Sequence, residues 1–579
     1  MRVSIVLPAL NEAENLSALI DDVRRVMGRL KWEYEVIIVD DGSTDATPDL
    51  LKNYIGPSIR VIQHPRNRGY GAALRSGFAA AHMDWVFLTD ADRQFRIDDI
   101  EKLAAHAAAS DFIIGYRVDR KDHGLRKFNT WLFHKILRVL FGVSARDVDC
   151  AFKLMKRDIL QRVPLRSDGA FISTEIFINM RQQGHHAVEV PIPHYPRLHG
   201  TPSGARLGVI ARAIKEVLLQ YVRTNHALQK YAPPLLIFLA SRVAIVMIVA
   251  LLNLQGFGDA HFGQWDARLY LIIAEQGYIF GGEHSPLIAF FPLYPLMIRI
   301  VAVALEISVM GAGLALSLFF GAAAALVLYE LMHRWKGREV AMTGIMVFSL
   351  FPTSIFLTAP YTESLFLLLA LLTFFFLQQK QFSRASLAIA LALVTRVTGF
   401  LLLPVLWYAW YREKKNLVWL GVHTALILIP FGVFLLYQKI FYGTPFAFLN
   451  IQKDHWHHEA TWPWIGLQKF MGSVLHDDAL AGMWRADFAL LAVIVAVLIA
   501  GYKIVPRRML YFGWAVVLLT LSQTYILGMS RYLMMVIPFY FFGGYVLTRY
   551  PLWRYPAYII LGSMMIFNTI LFTLSKHIF

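Results

Sequence analysis

From Pro233 onward the sequence is a series of long apolar runs separated by short basic clusters, and few folds accommodate that pattern. Inside a bilayer every backbone N–H and C=O must be satisfied by the protein itself, so such runs predict spanning helices. We expect roughly ten spans over residues 233–579. Clear candidates lie near 235–254, 311–332, 340–359, 361–378, 417–437, 487–502, 510–528, 532–548 and 557–574. Arg396 interrupts the stretch 384–411, which predicts a hairpin of two short segments. Basic clusters at 333–338, 412–415, 507–508 and 549–554 mark cytoplasmic loops, leaving 255–285 and 443–485 outside. Leu287 to Leu305 is apolar enough to cross, yet counting it would put His333–Arg338 on the wrong side. Pro292, Pro295 and Arg299 make it a re-entrant or interfacial element instead.

Residues 1 to 232 have a different character. Hydrophobic residues make up 57% of the chain and charged ones 17%, but most of the imbalance falls after Pro233. The net charge of +16 does not call for nucleic acid, because much of it sits in the basic clusters between apolar runs. Anionic lipid is the expected partner. Cys150 is the only cysteine, which excludes an intrachain disulfide and a cysteine-based metal site. The start, MRVSIVLPALNEAEN, is too briefly apolar for a secretory signal, so the first domain is expected in the cytoplasm.

Within that domain, short apolar runs alternate with helical patterns. Val3–Leu10, Glu35–Asp41, Arg60–His64, Trp85–Asp90 and Asp111–Arg117 read as strands, with helices following the first two and a further helix over Gly69–His82. The pattern predicts an α/β domain with a mainly parallel sheet and its site along the strands' carboxyl edge. Trp85-Val86-Phe87-Leu88 runs into Thr89-Asp90-Ala91-Asp92. Two carboxylates spaced so at a strand end can converge on one divalent cation. A solvated acidic turn is the plainer alternative. Gly69-Tyr70-Gly71 lacks the third glycine of a dinucleotide fingerprint, so a Rossmann dehydrogenase is rejected; its small residues instead suit a helix packed beneath a nucleotide.

Four motifs in order carry a resemblance: Pro8-Ala9-Leu10-Asn11-Glu12, Val39-Asp40-Asp41-Gly42-Ser43-Thr44-Asp45, Asn67-Arg68-Gly69 with Gly77, and Asp90-Ala91-Asp92-Arg93-Gln94. Together they resemble the family 2 glycosyltransferases of GT-A fold, and within them the dolichyl- or polyprenyl-phosphate sugar synthases. The family's usual aromatic before Asn-Glu is Leu10 here. The processive signature QxxRW is absent, which argues against polysaccharide polymerisation. The resemblance implies that Pro8, Leu10, Glu12, Asp40 and Asp41 hold the base and ribose, with Ala91, Gln94 and Arg117 also at the nucleotide sugar. It implies Asp90 and Asp92 as holders of Mg²⁺ or Mn²⁺ at the diphosphate, with Asp92 catalytic. Asp147-Val148-Asp149-Cys150-Ala151-Phe152-Lys153 resembles the later acceptor-side motif, with Asp149 catalytic, and His194-Tyr195-Pro196-Arg197 its basic acceptor loop. A lipid phosphate is already ionised near neutral pH, so it needs cations to position it rather than a strong base. Arg117, Lys153, Arg197 and Arg206 are the candidates. Surface solvation is the plain reading of each arginine, and helix capping that of Asp147 and Asp149.

His123–Phe141 and Gly204–Tyr231 are basic and amphipathic, as suits helices lying in a membrane interface. The expected organisation is a cytoplasmic domain over 1–203, juxtamembrane helices over 204–232, and an all-α polytopic domain over 233–579.

A second constellation lies in the outer loops. Gln264-Trp265-Asp266-Ala267-Arg268-Leu269-Tyr270, Gly277-Tyr278, Phe290-Phe291-Pro292-Leu293-Tyr294-Pro295, Pro352-Thr353-Ser354, Tyr361-Thr362-Glu363-Ser364, Thr395-Arg396-Val397-Thr398-Gly399 and Ser530-Arg531-Tyr532 resemble the GPI mannosyltransferase II (PIG-V-like) family of GT-C fold. What that implies is transfer from a lipid-phosphate sugar on the outer face. Asp266 is then the catalytic candidate, and Arg396 and Arg531 candidates for the donor phosphate. The plainer readings are an Asp266–Arg268 pair, arginines that snorkel, and a Glu363 that favours its helix dipole. His455, His457 and His458 in HWHHEATWPW could hold a metal, though loop histidines among interfacial aromatics are commoner.

The sequence thus predicts a multi-pass protein of the plasma membrane. It would move a hexose, mannose ahead of glucose, from GDP-mannose or a UDP-hexose to polyprenyl phosphate, with inversion. The membrane domain would then use that lipid-linked sugar on an outer acceptor. Two alternatives remain at this point: a synthase with an inert membrane platform, or a membrane half that transports the lipid-linked sugar.

Overall fold

The computed structural model describes residues 1–118, 133, 135–143, 145–196, 207–255, 261–278, 282–457, 459–475, 481–526 and 528–574. They divide into two compact units, Met1–Gln229 and Lys230–Phe579, with the division inside the juxtamembrane stretch.

The first unit is built on a seven-stranded sheet. Its strands are β1 (Arg2–Ala9), β2 (Glu33–Asp40), β3 (Ile59–Gln63), β4 (Trp85–Leu88), β5 (Phe112–Val118), β6 (Lys153–Lys156) and β7 (Val188–Pro193). Their order is β3-β2-β1-β4-β6-β5-β7. All neighbours run parallel except β6, which is antiparallel to β4 and β5. The expected parallel sheet is therefore present, with one reversed strand that sequence reading missed. β6 begins at Lys153, inside what reads as a loop motif. That reversal matters for the site, because it brings the approach to β6 onto the edge where β1, β2, β4 and β5 end. Leu10 falls just beyond β1 and is exposed.

Apolar alternation explains the burial. Val3, Ile5 and Leu7 of β1 face one core with Val36 and Ile38 of β2, while Val6, Ile37 and Val39 face the other. The helix Ala13–Leu30 packs on the first face through Leu16, Leu19, Ile20, Val23, Val26 and Met27.

The second unit is helical. Among the described residues five helices, the first beginning just before this unit, are long and apolar enough to cross a membrane: His226–Leu254, Val309–Lys336, Leu417–Tyr442, Gly482–Lys503 and Pro551–Thr573. Other apolar runs form shorter pieces. The run 340–359 is a helix Arg338–Ser349 and a 3-10 turn Ser354–Leu357, separated at Pro352. The run 532–548 is Met529–Leu533 and Ile537–Arg549, and 384–411 is Phe382–Leu393, a 3-10 stretch and Leu402–Arg412. Leu287–Leu305 begins in a 3-10 stretch and continues as the helix Leu293–Leu305. These breaks place loop backbone and polar side chains inside the helical unit.

Hydropathy averaging concealed one charge. Arg242 lies within the first long helix and is fully buried. Its guanidinium donates to the carbonyls of Ser349, at 2.7 Å, and Ser354, and to the hydroxyl of Ser354 at 3.0 Å. It thereby satisfies carbonyls released where the Arg338–Ser349 helix stops.

Candidate active sites

In the first unit the motifs meet along the carboxyl edge of the sheet. β1 and β2 end side by side at Ala9 and Asp40, and β4 ends at Leu88 opposite Val6. Asn11, with φ 57°, turns the chain out of β1. Its side-chain oxygen accepts from the Thr44 N–H at 2.8 Å, and its own N–H donates to Ser43 Oγ at 2.9 Å. The first two motifs are thus locked together. Glu12 is half-buried and accepts from Asn15 Nδ2 at 2.6 Å. Pro8, within β1, and Ala91, just past β4, are buried.

The two adjacent aspartates do different work. Asp40 is fully buried; its Oδ1 accepts from the Ser43 N–H at 2.9 Å, and its Oδ2 has no protein partner. Asp41 has both oxygens engaged, accepting from the Arg68 and Gly69 N–H groups at 3.0 and 2.8 Å and lying 2.6 Å from His64 Nδ1. Asp41 therefore anchors the Asn67–Gly69 turn, whereas sequence reading placed it on the nucleotide.

Gly69 and Gly71 serve a close approach, though not the one expected. A Cβ at either would meet a backbone carbonyl, of Asp168 or Ser167, at 2.3 Å. The neighbour they admit is the 167–168 loop, held in turn by the buried Glu175 through the Arg166 and Ser167 N–H groups. Between them Tyr70 donates to Asp90 Oδ1 at 2.9 Å. Burial, then the charge of Asp90, pushes this phenol well above its ordinary pKa, so it remains a donor. Asp92 is buried, and its Oδ1 accepts from the Gln94 N–H at 3.1 Å. Gln94 is bound in turn to the backbone of Tyr195, which fastens the acidic turn to the end of β7. Two hard carboxylate oxygen sets at one strand end suit Mg²⁺ or Mn²⁺.

On the other half of the edge, Arg117 grips Asp147 with both arms of its fork, at 2.6 and 2.8 Å. Burial opposes charge on Arg117, but the hydrogen bonds and charge of Asp147 outweigh it and raise its pKa. Asp147 is buried, while Asp149, two residues on, is exposed. Lys153 departs from its expected place at a lipid phosphate. It is fully buried, and its ammonium donates to the carbonyls of Val148, at 3.2 Å, and Cys150. Burial lowers its pKa against the pull of Cys150, Asp149, Asp147 and Asp90. Burial also pushes the Cys150 thiol up to about 11. Lys153 therefore shapes the Asp147–Cys150 turn. Arg197 and Arg206 lie outside the described residues, as does much of 123–141.

In the second unit, Asp266, Arg396 and Arg531 line one cavity of about 490 Å³ with Trp265, Tyr270, Phe290, Tyr361, Trp456 and Tyr532 among its walls. With the fully buried Glu363 behind them, these three charged side chains make a chain of four alternating charges. Asp266 Oδ2 lies 2.6 Å from Arg531 Nη1, Arg531 Nε reaches Glu363 Oε1, and the same oxygen takes Arg396 Nη1. Glu363 is fully buried, with Oε2 unpartnered within the protein. Arg531 also lies over the Tyr361 ring at 5.0 Å, and Arg396 over Tyr532 at 5.5 Å. Carboxylates and guanidiniums buried in an apolar setting are costly unless matched, and here they match one another. Asp266 thus pairs with Arg531, not with Arg268, and Glu363 is the hub of the cluster. Trp265, just before Asp266, holds φ 54°, a strained conformation for an aromatic residue. His455 and His457 line the cavity, and His458 lies outside the described residues. Among the described residues no three His, Cys, Asp or Glu side chains cluster as a metal ion requires.

Fold and motifs together define the class. Residues 4–163 match Glycosyl transferase family 2, which spans the sheet edge from β1 past Lys153. The particular arrangement follows from the rest. Residues 206–412 match Mannosyltransferase (PIG-V), so the chain carries a family 2, GT-A-type domain followed by a GT-C-like membrane region. That second match includes Asp266, Glu363 and Arg396 but ends before Arg531.

Among curated proteins, the chain is 32% identical over 203 residues to an undecaprenyl-phosphate 4-deoxy-4-formamido-L-arabinose transferase of Pseudomonas fluorescens, covering 34% of this chain and 58% of that one. It is 30% identical over 174 residues to a dodecaprenyl-phosphate galacturonate synthase of Rhizobium johnstonii, covering 29% and 52%. The chain therefore spans little more than half the length of these relatives. Among solved structures, mannosyl-3-phosphoglycerate synthase from Rubrobacter xylanophilus aligns at 17% identity and a TM-score of 0.33, covering 38% of this chain and 74% of that one.

Proposed function

We propose that this is a membrane glycosyltransferase whose first domain transfers a sugar from a nucleotide sugar to a polyprenyl phosphate. The observation that carries the reading is one sheet edge holding an unpartnered buried Asp40 oxygen, the Asp90/Asp92 pair and the Arg117–Asp147 fork. Both relatives above are named for polyprenyl phosphate acceptors, with different sugars. The lipid is therefore the firmer part of the proposal. Mannose rests on the PIG-V likeness alone.

The chemistry follows from the residues. Asp40 Oδ2 accepts an N–H of the base, since a buried carboxylate oxygen left without a donor is costly. Asp90 and Asp92 would hold Mg²⁺ or Mn²⁺, which supplies charge neutralisation for the departing nucleoside diphosphate. A phosphate oxygen of the lipid attacks the anomeric carbon, the bond from that carbon to the diphosphate breaks, and the configuration inverts. Arg117 acts by fixing Asp147 and the turn that presents the exposed Asp149 to the acceptor side.

The second site would take the lipid-linked sugar and pass it to an outer-face acceptor. Its support is the cavity in which Asp266 is open to solvent on 27% of its side chain while Arg531, Glu363 and Arg396 lie behind it. Pairing two such sites is chemically coherent, because the product class of one is the donor class of the other.

The test is incorporation of label from GDP-mannose, UDP-glucose and UDP-N-acetylglucosamine into extractable lipid by membranes containing the full chain. Lipid label lost with Asp92→Asn but kept with Asp266→Asn supports the synthase and identifies the sugar. Passage of label to a second product, blocked by Asp266→Asn, supports the second site; its absence leaves a synthase on a membrane platform. No lipid label from any donor overturns the proposal.

A further inference from the structure

We infer that Asp487 is a positioning residue for Arg531, and through it for the cavity carrying Asp266. Asp487 lies on the apolar helix Ala481–Ala500 and is fully buried. A carboxylate there is costly unless something matches it. Its match is the backbone of one segment. Oδ2 accepts from the Met529 N–H and Oδ1 from the Ser530 N–H, both at 3.1 Å.

Those amides open the short helix Met529–Leu533, which the chain enters through Gly528 at φ 65°. First-turn amides have no acceptor within their own helix, so Asp487 fixes where this turn starts. Arg531 is its third residue and projects onto Asp266 and Glu363. The same turn is gripped from another element, because Thr353 Oγ1 donates to the Ser530 carbonyl at 3.1 Å. Ser530 is therefore held through both its N–H and its C=O, in the two peptide units that flank its Cα, one residue before the arginine. Misplacement of a reacting or binding group by about 1 Å costs on the order of 100-fold in rate, so a carboxylate that never touches substrate can still govern turnover.

The inference rests on the second-site reading, in that Arg531 acts on substrate there. The experiment uses the full chain in nanodiscs as Asp487→Asn, Arg531→Lys and the double variant. Asn keeps the size of Asp and one acceptor oxygen but turns the other into a donor. Amide exchange in peptides covering Met529–Tyr532 is expected to speed up by about tenfold or more in Asp487→Asn. Outer-face transfer is expected to fall by about tenfold or more, while label entering lipid at the first site stays within about twofold. In the Arg531→Lys background the Asp487 change should cost less than about twofold further, because its effect runs through Arg531. A cap that merely stabilised the fold would lower both backgrounds equally. Unchanged exchange at Met529–Tyr532, or equal losses in both backgrounds, overturns the inference. A wild-type protein without outer-face transfer overturns the two-site reading instead, and the exchange result then decides for or against Asp487.

Discussion

The two candidate sites handle acidic residues in opposite ways. At the sheet edge, Asp40, Asp90 and Asp92 accept from neutral donors, a backbone N–H or a tyrosine hydroxyl. In the helical unit, Asp266 and Glu363 bind guanidiniums. Water and an incoming cation can neutralise a carboxylate at a strand end, so the protein need only orient it. Amid spanning helices solvent does little of that service, so each charge must be matched within the chain, by opposite charges at this cavity and by backbone groups at Arg242 and Asp487. Under the proposed function the first arrangement is the one that would receive a cation. The second is already neutral, and suits a substrate that displaces one internal partner.

The sharpest way to break this comparison is to remove the hub. Glu363→Gln leaves Arg396 without a carboxylate in its immediate surroundings and Arg531 with Asp266 alone. Uncovering a buried pair costs about 3–5 kcal/mol, and here one carboxylate serves two arginines. We expect a large drop in the melting temperature of the detergent-solubilised protein and loss of outer-face transfer. Asp90→Asn should change stability by less than about 1 kcal/mol, because Asn keeps an acceptor for Tyr70, and yet abolish lipid labelling. Equal destabilisation by the two substitutions would sink the contrast.

A milder test concerns a place where the sheet edge resembles the helical unit. Arg117 and Asp147 form a buried, two-pronged pair. Asp147→Asn should cost about 1–3 kcal/mol of stability and raise the KM for polyprenyl phosphate, since the turn bearing Asp149 loosens. An unchanged KM with lowered stability would confine the pair to a structural role.

How much of this was legible beforehand differs between the sites for a physical reason. At the sheet edge the candidate residues sit where apolar runs stop, so the positions of Asp40, Asp90 and Asp92 at strand ends could be read directly from the chain. Their supports could not. His64 meets Asp41 because β3 and β2 end side by side, a pairing across separate segments, and the burial of Lys153 depends on β6 reversing direction, where a four-residue strand leaves little periodic signal. In the helical unit Asp266, Arg396 and Arg531 each stood out as charges near apolar runs. Their union through Glu363 did not, because pairing across distant segments has no local signature, and a helix-opening glutamate already has a local explanation. Arg242 and Asp487 were hidden for other reasons: Arg242 is one charge diluted in a long apolar run, and Asp487, two residues after Arg485, reads as a charge at the boundary of the run 487–502. Both turned out to bind backbone groups freed where shorter helices break.

The smallest effect we expect sharpens the comparison from the sheet-edge side. If Asp90 is oriented by a neutral donor so that it can receive a cation, Tyr70→Phe should weaken that reception without harming the fold. Phenylalanine keeps the ring and removes only the hydroxyl hydrogen bond to Asp90 Oδ1. A hydrogen bond to a charged group is worth about 1.5–3 kcal/mol to stability, so melting should move only modestly. Partners that orient ligating carboxylates typically matter to metal affinity too, by about 10- to 100-fold. The half-saturating Mg²⁺ or Mn²⁺ concentration for lipid labelling should therefore rise by about tenfold, with the maximal rate at saturating metal largely restored. A rate that stays low at saturating metal would mean that Tyr70 serves the transfer step itself. An unaltered metal requirement would mean that Asp90 needs no orienting partner, and the contrast between an oriented and a paired carboxylate would fail where it is simplest.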